Sequence, residues 1–221
     1  MGITDDENRL FEKWKKDRNK FVADGVVDET AYNESDIKIL FILKEVNSED
    51  GGWDLREYLR DRNERTQTWN NITRWVIGIR NLNENLCWKG SEIEEIPTEK
   101  RIQTLRSICA INLKKSPGGH TTDEKKLADV AKNDREYLNE QLSLYDPDLT
   151  ICCGTIVKNL FHELVRFEKP IDWRSTTRGI DYHEYKRDKY VISYSHPEAR
   201  VQDNLLYYGL LDAIREIYRV F

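Results

Sequence analysis

The sequence predicts an α/β fold: three layers (α/β/α), with a central, mainly parallel four-stranded sheet between two sets of helices. Three observations carry this. Short runs rich in β-branched residues (37–43, 108–113 and 149–153) are almost entirely apolar, as strands covered by helices on both faces must be. Stretches with apolar residues at helical spacing separate these runs. No linker, internal repeat or low-complexity tract divides the 221 residues. The chain is therefore expected to form a single domain over 1–221, with 1–35 as a helical lead-in.

Taken in order, residues 5–23 bring Leu10, Phe11, Trp14, Phe21 and Val22 near one helix face, and Gly25 is read as the stop. A polar stretch, 28–35, leads into the first strand. That strand ends in Lys44-Glu45-Val46-Asn47, followed by the loop Ser48-Glu49-Asp50-Gly51-Gly52. Residues 53–62 suit a short helix. A second, 68–79, has Trp69, Ile72, Val76 and Ile79 on one face, and Trp69 and Trp75 are read as packing residues. Residues 81–97 are irregular and acidic. Thr98 is the expected N-cap of the next helix, with Ile102 and Leu105 facing inward, before the second strand. Thr121 and Glu124 match a capping box that opens one long helix to about residue 144. The third strand, 149–153, closes at Gly154, and the next helix carries Val157, Leu160, Phe161 and Leu164 inward. Residues 170–178 form a loop, 180–185 and 190–194 are two strands around a charged turn, and 205–220 is the closing helix.

A charged fraction of 34% and a mean hydropathy of -0.75 indicate a well-solvated surface, while 38% apolar residues, with six Trp and eleven Tyr, suffice for a core. No apolar run approaches the roughly 20 residues of a membrane span. The charged first 20 residues resemble neither a secretory nor a transit peptide, so a cytoplasmic chain without membrane contact is expected. The four cysteines (Cys87, Cys109, Cys152, Cys153) lack C-x-x-C spacing and read as reduced, buried thiols; no metal or other cofactor is expected. A net charge of -5 and a pI near 5.6 argue against non-specific coating of nucleic acid, although a local basic groove remains compatible with them.

Ligands of open α/β sheets sit outside the carboxyl ends of the strands. Three strand ends carry residues able to act together: Glu45 and Asn47; Asn112, with His120 close behind; and His196. Asn112 is the most unusual of them, because an amide in an apolar strand needs hydrogen-bond partners. It either satisfies a neighbouring loop or reads a ligand. His162 and His183 are assigned to structure.

The series resembles the uracil-DNA glycosylase superfamily. Members carry a first strand ending in a water-activating motif (Gly-Gln-Asp-Pro-Tyr or Gly-Met-Asn-Pro), a second ending in a base-reading Leu-Leu-Asn-type segment, and a last ending in His-Pro-Ser-Pro with Leu or Arg after it. Cys109-Ala110-Ile111-Asn112 resembles the second element and Ser195-His196-Pro197-Glu198-Ala199-Arg200 the third. Arg200 stands at the wedge position, as Arg does in single-strand-selective members. Pro117-Gly118-Gly119-His120 is similar to the Gly- and His-bearing loop after the base-reading strand. The likeness spans about residues 37 to 210. Its first element departs from the pattern: Lys44-Glu45-Val46-Asn47 lacks the preceding Gly and the following Pro, and a one-residue shift selects either Glu45 or Asn47. The cysteines of the iron–sulfur branch are missing, so no cluster is implied.

The resemblance implies a monofunctional, metal-free DNA glycosylase of the base excision repair type, acting on uracil or a related damaged or modified pyrimidine in single- or double-stranded DNA. A monomer is expected. Hydrolysis of the N-glycosidic bond builds positive charge on the sugar and negative charge on the base, so it needs a group to direct water and a donor to the base oxygen. Glu45 as general base, or Asn47 as an orienting amide, answers the first need, and His196 as a neutral donor answers the second. Asn112 offers donor and acceptor to a pyrimidine edge. Trp53, behind Gly52, either stacks on the base or belongs to the core. Base flipping brings the target into the pocket; Arg200 fills the gap, and Lys114, Lys115, His120 and Arg174 meet the DNA backbone. The alternative is a non-catalytic nucleic-acid or nucleotide-binding module on the same scaffold.

Overall fold

A computed structural model describes residues 2–61, 67–83, 96–119, 121–167 and 170–218. Among them, seven strands form one mixed sheet: β1 (Gly25–Val26), β2 (Ile39–Leu43), β3 (Cys109–Asn112), β4 (Leu149–Cys153), β5 (Arg174–Ser175), β6 (Asp181–Lys186) and β7 (Lys189–Tyr194), in the order β1-β3-β2-β4-β7-β6-β5. The four central strands, β3, β2, β4 and β7, run parallel. The sheet is wider than the four strands expected, because β1 on one edge and the β5–β6 pair on the other add to it antiparallel. Two-residue strands such as β1 and β5 are too short to leave a period in the sequence. β6 must oppose β7 because the turn between them, with Asp188 at φ 60°, is far too short for a parallel crossover.

Nine helices cover the sheet among the described residues: α1 (Ile3–Trp14), α2 (Glu29–Asn33), α3 (Leu55–Asp61), α4 (Gln67–Arg80), α5 (Thr98–Arg106), α6 (Glu124–Asn133), α7 (Arg135–Ser143), α8 (Thr155–Leu164) and α9 (Asp203–Tyr218). Side chains of β2 alternate between the two helix layers. Ile39, Phe41 and Leu43 pack with α3, α4, α5 and α9, while Leu40 and Ile42 pack with α1, α6, α7 and α8. This two-sided burial is why β2 reads as continuously apolar. Cys109, Cys152 and Cys153 are buried free thiols; Cys87 lies outside the described residues, as does most of 81–97. No helix among the described residues is long and apolar enough to cross a membrane.

Three elements differ from expectation. α1 ends at Trp14 and not near residue 23; Asp17 takes φ 64°, and Phe21 and Val22 reach the core from an extended segment. Gly25 starts β1 at φ 133°, where an added Cβ would overlap the Glu7 carboxylate. The long helix over 121–144 is two helices, α6 and α7. They are separated at Asp134, which is buried and held by both terminal nitrogens of Arg18 at 2.6 and 2.7 Å. Asp123, not Thr121, caps α6 by accepting from the Lys126 N–H, and Thr98 is the first residue of α5, with Pro97 at the cap.

The ends of β2 and β3 matter most for the site. Leu43 pairs with Asn112, and the two chains stay together beyond the sheet: Leu113 donates to the Leu43 carbonyl, Lys114 to that of Lys44 and Gly118 to that of Val46, at 2.9–3.0 Å. The segment from 43 to 47 is therefore held beside that from 112 to 118.

Candidate active site

The carboxyl ends of β2, β3 and β7 open into a cleft of about 1060 Å³ whose lining includes Glu45, Asn47, Gly52, Trp53, Asn112 and His196. α3 and the start of α4 complete it with Tyr58, Thr68 and Trp69. A second cavity, about 170 Å³, lies beside α7 and α8 and is lined chiefly by apolar groups such as Leu142, Phe161, Phe167 and Tyr185. The polar chemistry is concentrated in the larger one.

Glu45 is largely buried, and its carboxylate forms an ion pair with Lys114, whose ammonium also donates to the Pro117 carbonyl at 3.1 Å. An added Cβ at Gly118 would fall 2.0 Å from the Glu45 carboxyl carbon, so that position admits only glycine while the carboxylate stays in place. Asn47 is exposed, and its backbone bridges to Gly118. Trp53 is half-buried; its indole N–H donates to the Asp50 carbonyl at 2.9 Å and its ring lies 5.9 Å from that of Tyr58. The Gly52 N–H donates to the Phe21 carbonyl at 2.9 Å, tying the loop to the segment after α1.

His196 is half-buried, and its Nδ1 accepts from the Glu198 backbone N–H at 3.1 Å. In a neutral ring that bond puts the proton on Nε2, making it a donor. Burial pulls the imidazole below its ordinary pKa, Lys44 acts in the same direction, and Glu198 opposes them. The loop carrying it is pinned to α4: Asn71 Nδ2 donates to the Pro197 carbonyl at 2.7 Å and the Thr68 hydroxyl to Glu198 at 2.6 Å. Asp203 completes the anchor by accepting from Arg74 and Asn71 at 3.1 Å each.

Asn112 is 3% exposed and lies at the cleft. Its backbone N–H and its side-chain Nδ2 both donate to Asp24 Oδ2, at 2.7 and 3.4 Å. Asp24 is fully buried, in a segment read from sequence as the end of a helix, which is why it attracted no functional reading.

The other basic residues expected to meet DNA are, where described, absent from the cleft lining. Lys114 is committed to Glu45 within the cleft wall. Lys115 is 1% exposed, 2.5 Å from Asp24 and 5.0 Å above the Trp14 ring, so it cannot meet a phosphate. Burial lowers its pKa, while Asp24 pushes the other way. Arg200 is exposed on the loop after His196 but outside the cleft lining. Arg174 sits on β5, separated from β7 by β6 and remote from the cleft. His120 lies outside the described residues; Gly119 and Thr122 around it line the cleft.

Sequence reasoning also passed over the charge of the lining. Among the described residues it includes, besides Glu45, Asp50, Asp54, Glu57, Asp61 and Glu198, with Lys44 as a basic side chain. The acidic face of α3 was visible in 53–62, but nothing local says which helix face meets a cleft. Among the described residues, no group of three or more His, Cys, Asp or Glu is placed to hold a metal ion. No protein-family model matches the chain and no curated protein matches it, so what the cleft can do is argued from its own geometry.

Proposed function

We propose that the chain is a DNA glycosylase of the uracil-DNA glycosylase type, hydrolysing the N-glycosidic bond of uracil or a related pyrimidine. The observation that carries this reading is the meeting, at one sheet edge, of an amide (Asn112), a neutral imidazole N–H (His196) and a water-directing pair (Glu45 and Asn47) drawn from three separate strand ends. The four parallel strands at the centre of the sheet support it.

In this reading a flipped base enters the cleft, Asn112 binds its edge, and His196 Nε2–H donates to the O2 oxygen as negative charge gathers there. Glu45, held by Lys114, orients water toward C1′ of the sugar. The C1′–N bond breaks with its electron pair leaving on the base, the water oxygen bonds to C1′, and the released proton passes to solvent or to the base. Single-stranded DNA suits the acidic lining better than duplex, because its lower charge density is repelled less and its base reaches the pocket without the cost of unpairing.

The test is alkaline scission of a single-stranded oligonucleotide bearing one uracil. Scission with the unmodified protein, lost in His196→Ala, is expected; an oligonucleotide left intact rejects the proposal. The Lys114–Glu45 ion pair favours a second reading, a non-catalytic nucleic-acid-binding module, because it ties up the carboxylate that would activate water. That reading gives salt-dependent oligonucleotide binding without base release.

A further inference from the structure

We infer that Asp24, a residue outside the cleft, positions the Asn112 amide so that the site accepts 4-keto pyrimidines (uracil or thymine) and rejects cytosine; this rests on the base-reading role proposed above for Asn112. The Asp24 carboxylate is surrounded by donors. Its Oδ1 accepts from Lys115 Nζ at 2.5 Å and Gln141 Nε2 at 2.9 Å, and its Oδ2 accepts from the Asn112 backbone N–H at 2.7 Å and Nδ2 at 3.4 Å. Turning the Asn112 amide over would set its Oδ1 against Asp24 Oδ2, two acceptors facing each other in a buried site. The nitrogen therefore faces Asp24.

Sheet order converts this orientation into specificity. Asp24 immediately precedes β1, which borders β3 on the side away from β2, β4 and β7. His196 follows β7. The amide nitrogen thus lies on the side away from His196, and the oxygen is left toward it. A pyrimidine with O2 on His196 presents ring position 3 next and position 4 farthest. Asn112 Oδ1 then meets position 3, and the remaining Nδ2 hydrogen meets position 4. Uracil and thymine offer N3–H and O4, a match at both places. Cytosine offers a lone pair at N3 and an amino group at position 4, a mismatch at both, and a site built on such hydrogen bonds discriminates strongly.

The experiment compares release rates of uracil and cytosine from matched single-stranded oligonucleotides by the unmodified protein, Asp24→Asn, and Asp24→Asn combined with Lys115→Met. An amide at position 24 can offer Asn112 either oxygen or nitrogen, so the fixed orientation is lost. The single variant leaves the Lys115 ammonium buried without its counter-ion, so the double variant carries the test if the single one does not fold. The uracil-over-cytosine ratio is expected to fall at least tenfold in a variant that melts cooperatively. A merely structural role for Asp24 would slow both bases alike and leave the ratio unchanged, which overturns the assignment while sparing the glycosylase proposal. No release of either base by the unmodified protein overturns both.

Discussion

Lys114 and Lys115 are adjacent in the chain and end in opposite settings. Lys114 turns toward the cleft wall and pairs with Glu45, a residue of its lining. Lys115 turns away from it, over the Trp14 ring of α1, and pairs with Asp24 in a region that also buries the Glu7–Arg56 ion pair at 2.6 Å. β3 has ended at Asn112, and the bends that follow it send one ammonium to a carboxylate of the cleft lining and the next to a carboxylate of the interior. Arg56 links the regions, since it also binds Asp54 of the cleft lining. A buried ion pair is a weak source of net stability, yet losing one partner is costly, because the remaining charge has neither water nor a counter-ion. The interior pair is therefore expected to govern whether the chain folds, and the cleft pair to govern what the site does.

The sharpest way to break this comparison is Lys115→Met, expected to destabilise the fold by about 3–5 kcal/mol in chemical denaturation, with part of the loss recovered when Asp24→Asn is added. A loss under about 1 kcal/mol would mean that the interior pair is not what holds this region together. Next comes His196→Ala. Base release should fall about 10²–10³-fold with the denaturation midpoint nearly unchanged, the loss typical of removing a donor to a developing oxyanion. Lys114→Met should cost less stability than Lys115→Met, about 1–2 kcal/mol, because Glu45 borders the cleft whereas Asp24 is fully enclosed, while base release changes by more than tenfold. Equal stability losses for the two lysine variants would remove the distinction between the regions.

The smallest expected effect is on pH. Burial holds folded His196 below its ordinary pKa of about 6.5, so on acidification the unfolded chain takes up the proton first. This group's contribution is complete above that value and is lost as pH falls from about 6.5 toward the folded pKa. His196→Gln should flatten that stretch of the stability profile, measured by denaturation between pH 7 and pH 5, and an unaltered slope would show that the ring is not burdened by burial.

Much of the architecture was legible. β2, β3 and β4 lie within the apolar runs read from sequence, and α4 extends one residue beyond the range read at each end, because burial on both faces of a strand or on one stripe of a helix writes a local pattern. α1 was overextended because Phe21 and Val22, buried from an extended segment, fall at spacings that imitate a helix face. The division at Asp134 left no mark that could be read locally, and the partner of its buried carboxylate, Arg18, is 116 residues away. In the site, Glu45, Asn47, Asn112 and His196 were visible as polar residues closing apolar strands. The lysines were misjudged because a surface cation and a buried one have the same letter.

The sequence by itself determined which segments are covered on both faces and where polar residues interrupt them, since hydrophobic burial and backbone pairing act through near neighbours and short periods. Only the tertiary structure decided which charges face a ligand and which face each other. The partners of Lys114 and Lys115 stand 69 and 91 residues away, and a charge is assigned its role by the group that replaces its water.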